Sequence, residues 1–117
     1  MAPIQLPNAE GVMYRDAHLT IDFGRRAVML ESRLVELTSR EFAMLAFLAG
    51  HAGEIVPRKA LLAAVWGYSQ QVRTRTLDVH LARVRKKLGP LGYRYIETVY
   101  GSGCRFQPQT ARVRSVA

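Results

Sequence analysis

Three observations predict an α+β domain built as a small antiparallel sheet, three helices and a closing β-hairpin. The patterned part of the chain opens on apolar–polar alternation, continues through three stretches with helical apolar spacing, and ends on a short run whose glycines bracket a turn. At 117 residues it can build one small core. Residues 1 to 13 (MAPIQLPNAEGVM) hold two prolines and no period, and read as a linker or cloning remnant. The domain is expected over 14–108 and a flexible tail over 109–117.

From His18 the pattern alternates. Leu19, Ile21 and Phe23 fall on one side and Thr20 and Asp22 on the other, the period of a strand with one buried face. Gly24-Arg25-Arg26 can turn, and Ala27 to Glu31 and Leu34 to Glu36 continue as short strands. The first helix starts in LTSREF (37–42). Thr38 as N-cap and Glu41 three residues later form a capping box, with Leu37 and Phe42 placed as a hydrophobic staple. Phe42, Leu45, Leu48 and Ala49 keep helical spacing as far as Gly50 or Gly53. A second helix runs from about Pro57, a residue tolerated in a first turn, through Leu61, Leu62, Val65 and Trp66 to Gly67. The segment YSQQVRT (68–74) has no period and is expected as a loop.

RTLDVHLARVRKKLG (75–89) is the third helix. Leu77, Leu81, Val84 and Leu88 make a narrow core stripe. Thr76, Val79, His80, Arg83, Lys86 and Lys87 occupy the arc running outward from one edge of it, and Asp78 and Arg85 fall together on the other flank. Arg85 is expected to be structural, pairing with Asp78 or Glu41. Gly89-Pro90 stops the helix, Gly92 turns, and 94–99 (RYIETV) reads as a strand. Gly101 and Gly103 bracket a tight turn and Cys104 to Gln107 return as a second strand.

The charge is one-sided. Residues 1 to 71 hold seven Lys/Arg against seven Asp/Glu, whereas residues 72 to 117 hold ten against two, so the whole net charge of +8 lies in the last two-fifths. Such a field suits a polyanion, and nucleic acid above others. Catalytic chemistry finds no footing. His18, His51 and His80 lack metal-ligand spacing, no phosphate loop, dinucleotide turn or GxSxG is present, and Cys104 has no histidine near it in sequence. No cofactor and no metal are expected. One cysteine excludes an internal disulfide, and no apolar run approaches the roughly 18 residues of a membrane span, so the chain reads as cytoplasmic.

A helix–turn–helix whose last helix carries a basic outward arc fits the major groove of B-DNA, and a hairpin directly after it can reach a neighbouring groove. The residues thus describe a winged helix-turn-helix that binds double-stranded DNA. A winged-helix module used only for protein contacts is the alternative, and the charge argues against it.

LTSREFAMLAFLAGHAGEIVPRKALLAAVWG, RTLDVHLARVRKKLG and YIETVYGSGCRF, spanning roughly His18 to Phe106, resemble the OmpR/PhoB-type effector domain of bacterial response regulators. The resemblance implies a four-stranded N-terminal sheet, a third helix that reads the major groove and a hairpin wing over the minor groove. It further implies tandem direct repeats as the DNA site and a loop over 67–74 that approaches RNA polymerase, while the free domain is expected to be monomeric because nothing in the sequence offers a long zipper. By position, Arg83 matches a base-reading residue with Val79 beside it. Trp66, Arg75, His80 and Thr98 match backbone-contacting residues, and Arg73, Thr76, Lys86 and Lys87 are expected to join them. Tyr100, Ser102 and Arg105 make up the wing's contacts. Ala82 and Tyr100 stand where many members have arginine, and Cys104 where the family usually has tyrosine. Asp16, Asp22 and Asp78 are the only aspartates and supply no phosphoacceptor cluster. The expectation is therefore an excised effector half, a standalone regulator, or part of a membrane-anchored regulator of the same fold.

Overall fold

The alternating N-terminal segment folds as a four-stranded meander. In a computed structural model of the chain, which describes residues 13–67 and 74–109, β1 (Met13–Arg15), β2 (Leu19–Asp22), β3 (Ala27–Leu30) and β4 (Arg33–Val35) pair antiparallel in sequence order. Register puts Leu19 opposite Leu30 and Ile21 opposite Val28, so all four side chains lie on the buried face. Reading the residues alone missed β1, and Met13 belongs to the sheet rather than to a linker. What holds β1 is Tyr14, whose ring meets Phe106 edge-on at 5.2 Å between centroids and whose hydroxyl donates to Asp16.

Helix α1 (Ser39–Gly50) starts as its sequence requires. The Glu41 N–H donates to Thr38 Oγ1 at 3.2 Å, and the Thr38 N–H donates to Glu41 Oε1 at 2.9 Å. A two-residue strand, β5 (Ile55–Val56), follows, and then α2 (Arg58–Trp66). Pro57 is the N-cap rather than part of the first turn: its extended backbone ends β5, and its carbonyl accepts the Leu61 N–H at 3.0 Å. Helix α3 covers Thr74–Lys87.

The segment after α3 departs from expectation. Gly89–Leu91 forms a 3-10 turn, and α4 (Gly92–Tyr95) takes residues 94 and 95 out of the predicted strand, so β6 begins at Ile96 (Ile96–Val99). Gly92 lies so tightly against α3 that a Cβ there would overlap the Arg85 carbonyl, and its right-handed helical backbone begins α4 where a simple turn was expected. β7 (Gly103–Phe106) then runs between β5 and β6, antiparallel to both.

The core lies where α1, α2 and α3 meet the inner faces of the two sheets, with Leu45, Leu48, Leu61, Leu77, Val84 and Phe106 fully buried. Each contributes roughly 1.5–3 kcal/mol by leaving water. The two ends of the domain meet at Asp16. Its carboxylate accepts from the hydroxyls of Tyr14 and Tyr95 and from the backbone N–H groups of His18, Leu19 and Gln109. Gln109 also returns its carbonyl to the Ala17 N–H at 3.1 Å, so the folded unit reaches one residue into the expected tail. No helix among the described residues is long and apolar enough to cross a membrane.

Candidate nucleic-acid interface

Helix α3 divides as its spacing demands. Leu77, Leu81, Val84 and Leu88 are buried, while Arg75, Val79, Arg83 and Lys86 are exposed. Arg75, Thr76, Val79, His80 and Arg83 line one shallow hollow on the outer face. That hollow contains two guanidiniums, an aliphatic floor and no acid. The one acid of α3, Asp78, lies on another flank, where Arg58 Nη2 holds it at 2.7 Å.

His80 is oriented from two sides. Its Nδ1 lies 2.9 Å from the Thr76 carbonyl, and because a carbonyl oxygen only accepts, Nδ1 carries the proton and Nε2 is the nitrogen left for a ligand. The ring meets Trp66 edge-on at 5.0 Å. Trp66 is half-buried against the core, and the Arg40 guanidinium lies 5.3 Å from its ring centroid.

Two cations of α3 have other work. Lys87, expected among the DNA-facing residues, donates from Nζ to Glu41 Oε1 at 2.7 Å. Glu41 is only 1% exposed, and a buried carboxylate without a cation would be costly, so Lys87 is bound to the α1 capping box. Burial alone would raise the Glu41 carboxyl, but the Lys87 ammonium and the Thr38 N–H more than offset it and hold the group below the usual carboxylate range. Arg85 is structural as expected, but with neither expected partner. Its Nε donates to the Ile96 carbonyl at 2.9 Å, its Nη2 to Thr98 Oγ1 at 2.6 Å, and its plane lies 4.9 Å from the Tyr93 ring centroid. Asp78 and Glu41 are taken by Arg58 and Lys87, and the fork of Arg85 instead ties α3 to β6.

At the wing, the Ser102 N–H closes the turn on the Val99 carbonyl at 2.9 Å, and Tyr100 stands 92% exposed. Thr98 is exposed, with Arg85 supplying a donor to its oxygen, which leaves its own O–H to donate outward. Arg105 does not reach the tip: it lies opposite Glu97 on β6 and donates from Nε and Nη2 to Glu97 Oε1 at 3.1 and 2.9 Å. Cys104 is buried, faces Val56 and Thr98 in register, and has its thiol pushed up by burial, so it packs the hairpin. Arg73 and positions 68–73 of the loop lie outside the described residues.

Arg40 and Arg58 were missed in the sequence. Arg40 had a signal: a cation in the first turn of a helix opposes the helix dipole. Arg58 had none, because its partner Asp78 is twenty positions away in another helix. Among the described residues, no group of three or more His, Cys, Asp or Glu side chains is placed to hold a metal.

Known proteins share this fold and part of this sequence. The family model "Transcriptional regulatory protein, C terminal" matches residues 31–106. The transcriptional regulatory protein VxrB of Vibrio cholerae is 40% identical over 91 residues, 78% of this chain and 36% of that protein. PhoB of Escherichia coli, the phosphate regulon transcriptional regulatory protein, is 39% identical over 89 residues, 75% of this chain and 39% of its own length. The chain thus spans less than two-fifths of these relatives. Among solved structures, the Thermotoga maritima response regulator DrrB, an OmpR/PhoB homolog, superposes with a TM-score of 0.74 at 34% identity, covering 81% of this chain and 44% of that one. The DNA-binding domain of Klebsiella pneumoniae RstA in complex with the RstA box gives 0.74 at 38% identity, covering 83% and 98%.

Proposed function

Because the chain belongs to the OmpR/PhoB-type family of transcriptional regulatory protein C-terminal domains, we propose that it binds duplex DNA sequence-specifically, with α3 in the major groove, as the effector part of a response regulator. The observation that carries this reading is the acid-free hollow on α3, where Arg83 and Val79 face a ligand together with Arg75, Thr76 and His80. The major groove, about 12 Å wide, admits one helix and displays guanine acceptors suited to an arginine fork. Arg83 and Val79 read bases, while Arg75, Thr76, His80, Lys86, Trp66 and Thr98 hold the backbone. Tyr100 and Ser102 give the wing hydroxyl donors in place of a guanidinium, so it positions the domain without reading A·T content. The free domain is monomeric and two copies occupy tandem direct repeats about one helical turn apart. In this reading the loop 67–74 is the part offered to RNA polymerase.

A fluorescent duplex titrated with the domain over a range of salt tests the proposal. Each phosphate neutralised by a cation should steepen the fall of log affinity against log salt by about 0.9, while the neutral contacts of Thr76, Trp66 and Thr98 add nothing to the slope. A flat response would remove DNA from the reading.

Site selection from random duplexes separates the roles of two arginines. Arg83→Ala should relax preference at one base position, a loss of about 1–3 kcal/mol of discrimination. Arg75→Ala should weaken all sequences about equally. A uniform loss in Arg83→Ala would make it a phosphate contact, and selected sites with inverted rather than direct half-sites would overturn the tandem arrangement.

A further inference from the structure

Arg40 breaks a local rule. It occupies the first turn of α1, where the helix dipole disfavours a cation. The acid beside it offers no compensation, since Glu41 is occupied by Lys87 and by the Thr38 N–H. None of the ion pairs among the described residues includes Arg40, and its one recorded partner is the face of Trp66. A guanidinium stacked on an indole keeps its N–H donors at the rim of the plane, directed away from the ring. Arg40 is exposed, and no hydrogen bond among the described residues takes its donors.

The stack also has a direction. Arg40 comes from α1, Trp66 from the end of α2 and His80 from the middle of α3. The two ring contacts, 5.3 and 5.0 Å, keep the guanidinium within about 10 Å of the imidazole that lines the α3 hollow. That distance is two to three nucleotide steps at about 3.4 Å of rise per strand. We propose that Arg40, beside Trp66, is a further phosphate contact that grips the DNA strand flanking the groove within about three nucleotides of His80. The inference rests on α3 lying in the major groove.

Its test is a salt series on a duplex carrying the selected site, with native domain, Arg40→Ala, Arg40→Lys and the β1 surface variant Arg15→Ala. Arg40→Ala should lower affinity about five- to tenfold at 0.1 M salt and reduce the magnitude of the salt slope by about 0.9, with base preferences and melting temperature unchanged. Arg40→Lys should keep the slope and lose less affinity, because the charge remains and the planar stack does not. Arg15→Ala should match the native domain. The slope is the deciding measurement: a side chain that merely packs on Trp66 could alter affinity but would not change the number of released counterions. A native slope in Arg40→Ala, whatever the affinity, overturns the inference and leaves the α3 reading intact. Failure of the native domain itself to bind in a salt-dependent way overturns both.

Discussion

Gly103→Ala should destabilise the domain by about 2–6 kcal/mol, a large share of the roughly 5–15 kcal/mol that holds a domain of this size. Two costs combine. Gly103 has φ +149°, a conformation side chains rarely adopt, and its missing Cβ is where β7 passes the end of β5. A methyl there would overlap the Val56 carbonyl oxygen and lie 2.9 Å from Pro57 Cα, and both neighbours are backbone. Neither can swing aside as a side-chain tip would. Gly101→Ala is the comparison, since Gly101 also has positive φ (+77°) but meets nothing within 4 Å. It should cost only the left-handed backbone term, about 1–2 kcal/mol. Urea unfolding of the two variants measures the difference. Equal losses would mean that β5 simply shifts away and that the close approach contributes nothing.

That contrast marks the limit of what the sequence disclosed. Both wing glycines were legible as turn residues, because turn chemistry is local. The packing role of Gly103 was not, because it depends on a strand of two residues that pairs with another strand more than forty positions later. The capping box and the core stripe of α3 were legible for the same local reason: each is written within a few positions at a fixed spacing. β1 was not, since three residues show no period and their anchor, Phe106, lies at the other end of the chain. The β3–β4 hairpin turns on Glu31 and Ser32, both at positive φ (52° and 67°), without the Asn-Gly or Asp-Gly pair that usually announces such a turn.

The outward face of α3 follows from geometry, so Thr76, Val79, His80 and Arg83 of the hollow could be read from helical spacing, while Arg75 came only from the family resemblance. Which cations remain available to a ligand could not. Helical spacing places Lys87 beside Arg83 on the arc, yet a buried glutamate forty-six positions away takes its ammonium. Arg105 is in the same situation, drawn to Glu97 across the hairpin. Charge counts show where cations lie along the chain, and only the pairing of elements shows which ones are neutralised.

Asp16→Ala should unlock both ends of the domain at once, at a cost of about 3–5 kcal/mol. The carboxylate accepts two hydroxyls and three backbone N–H groups, drawn from β1, the β1–β2 turn, β2, α4 and the segment after β7. Removing it strands donors that are partly or fully buried, Tyr95 among them, and a lost acceptor costs more than the bond itself contributed. The same node makes stability depend on pH. Burial would raise the Asp16 carboxyl, but the bonds from Tyr14, His18, Tyr95 and Gln109 outweigh it and hold the group below its ordinary value. A carboxyl lowered in the folded state contributes fully above its unfolded value, about 3.9, and loses that contribution as pH falls through the folded value. Tyr14 and Tyr95 shift the other way, pushed up by burial and by Asp16, so both phenols remain donors and their share is lost only as pH rises beyond about 10. Asp16→Asn isolates the charge, since it keeps one acceptor oxygen and replaces the other with an amide that faces donors. Its deficit against the native domain should be widest near pH 7 and should narrow below about pH 4, where Asp16 of the unfolded chain takes up its proton before the folded carboxylate does. Glu41 is intact in both proteins, so its own acid limb cancels in the comparison. Urea unfolding of the two proteins between pH 7 and 3 measures this, and a deficit that stayed constant over the range would mean that shape alone, and not the ionised carboxylate, fastens the two ends together.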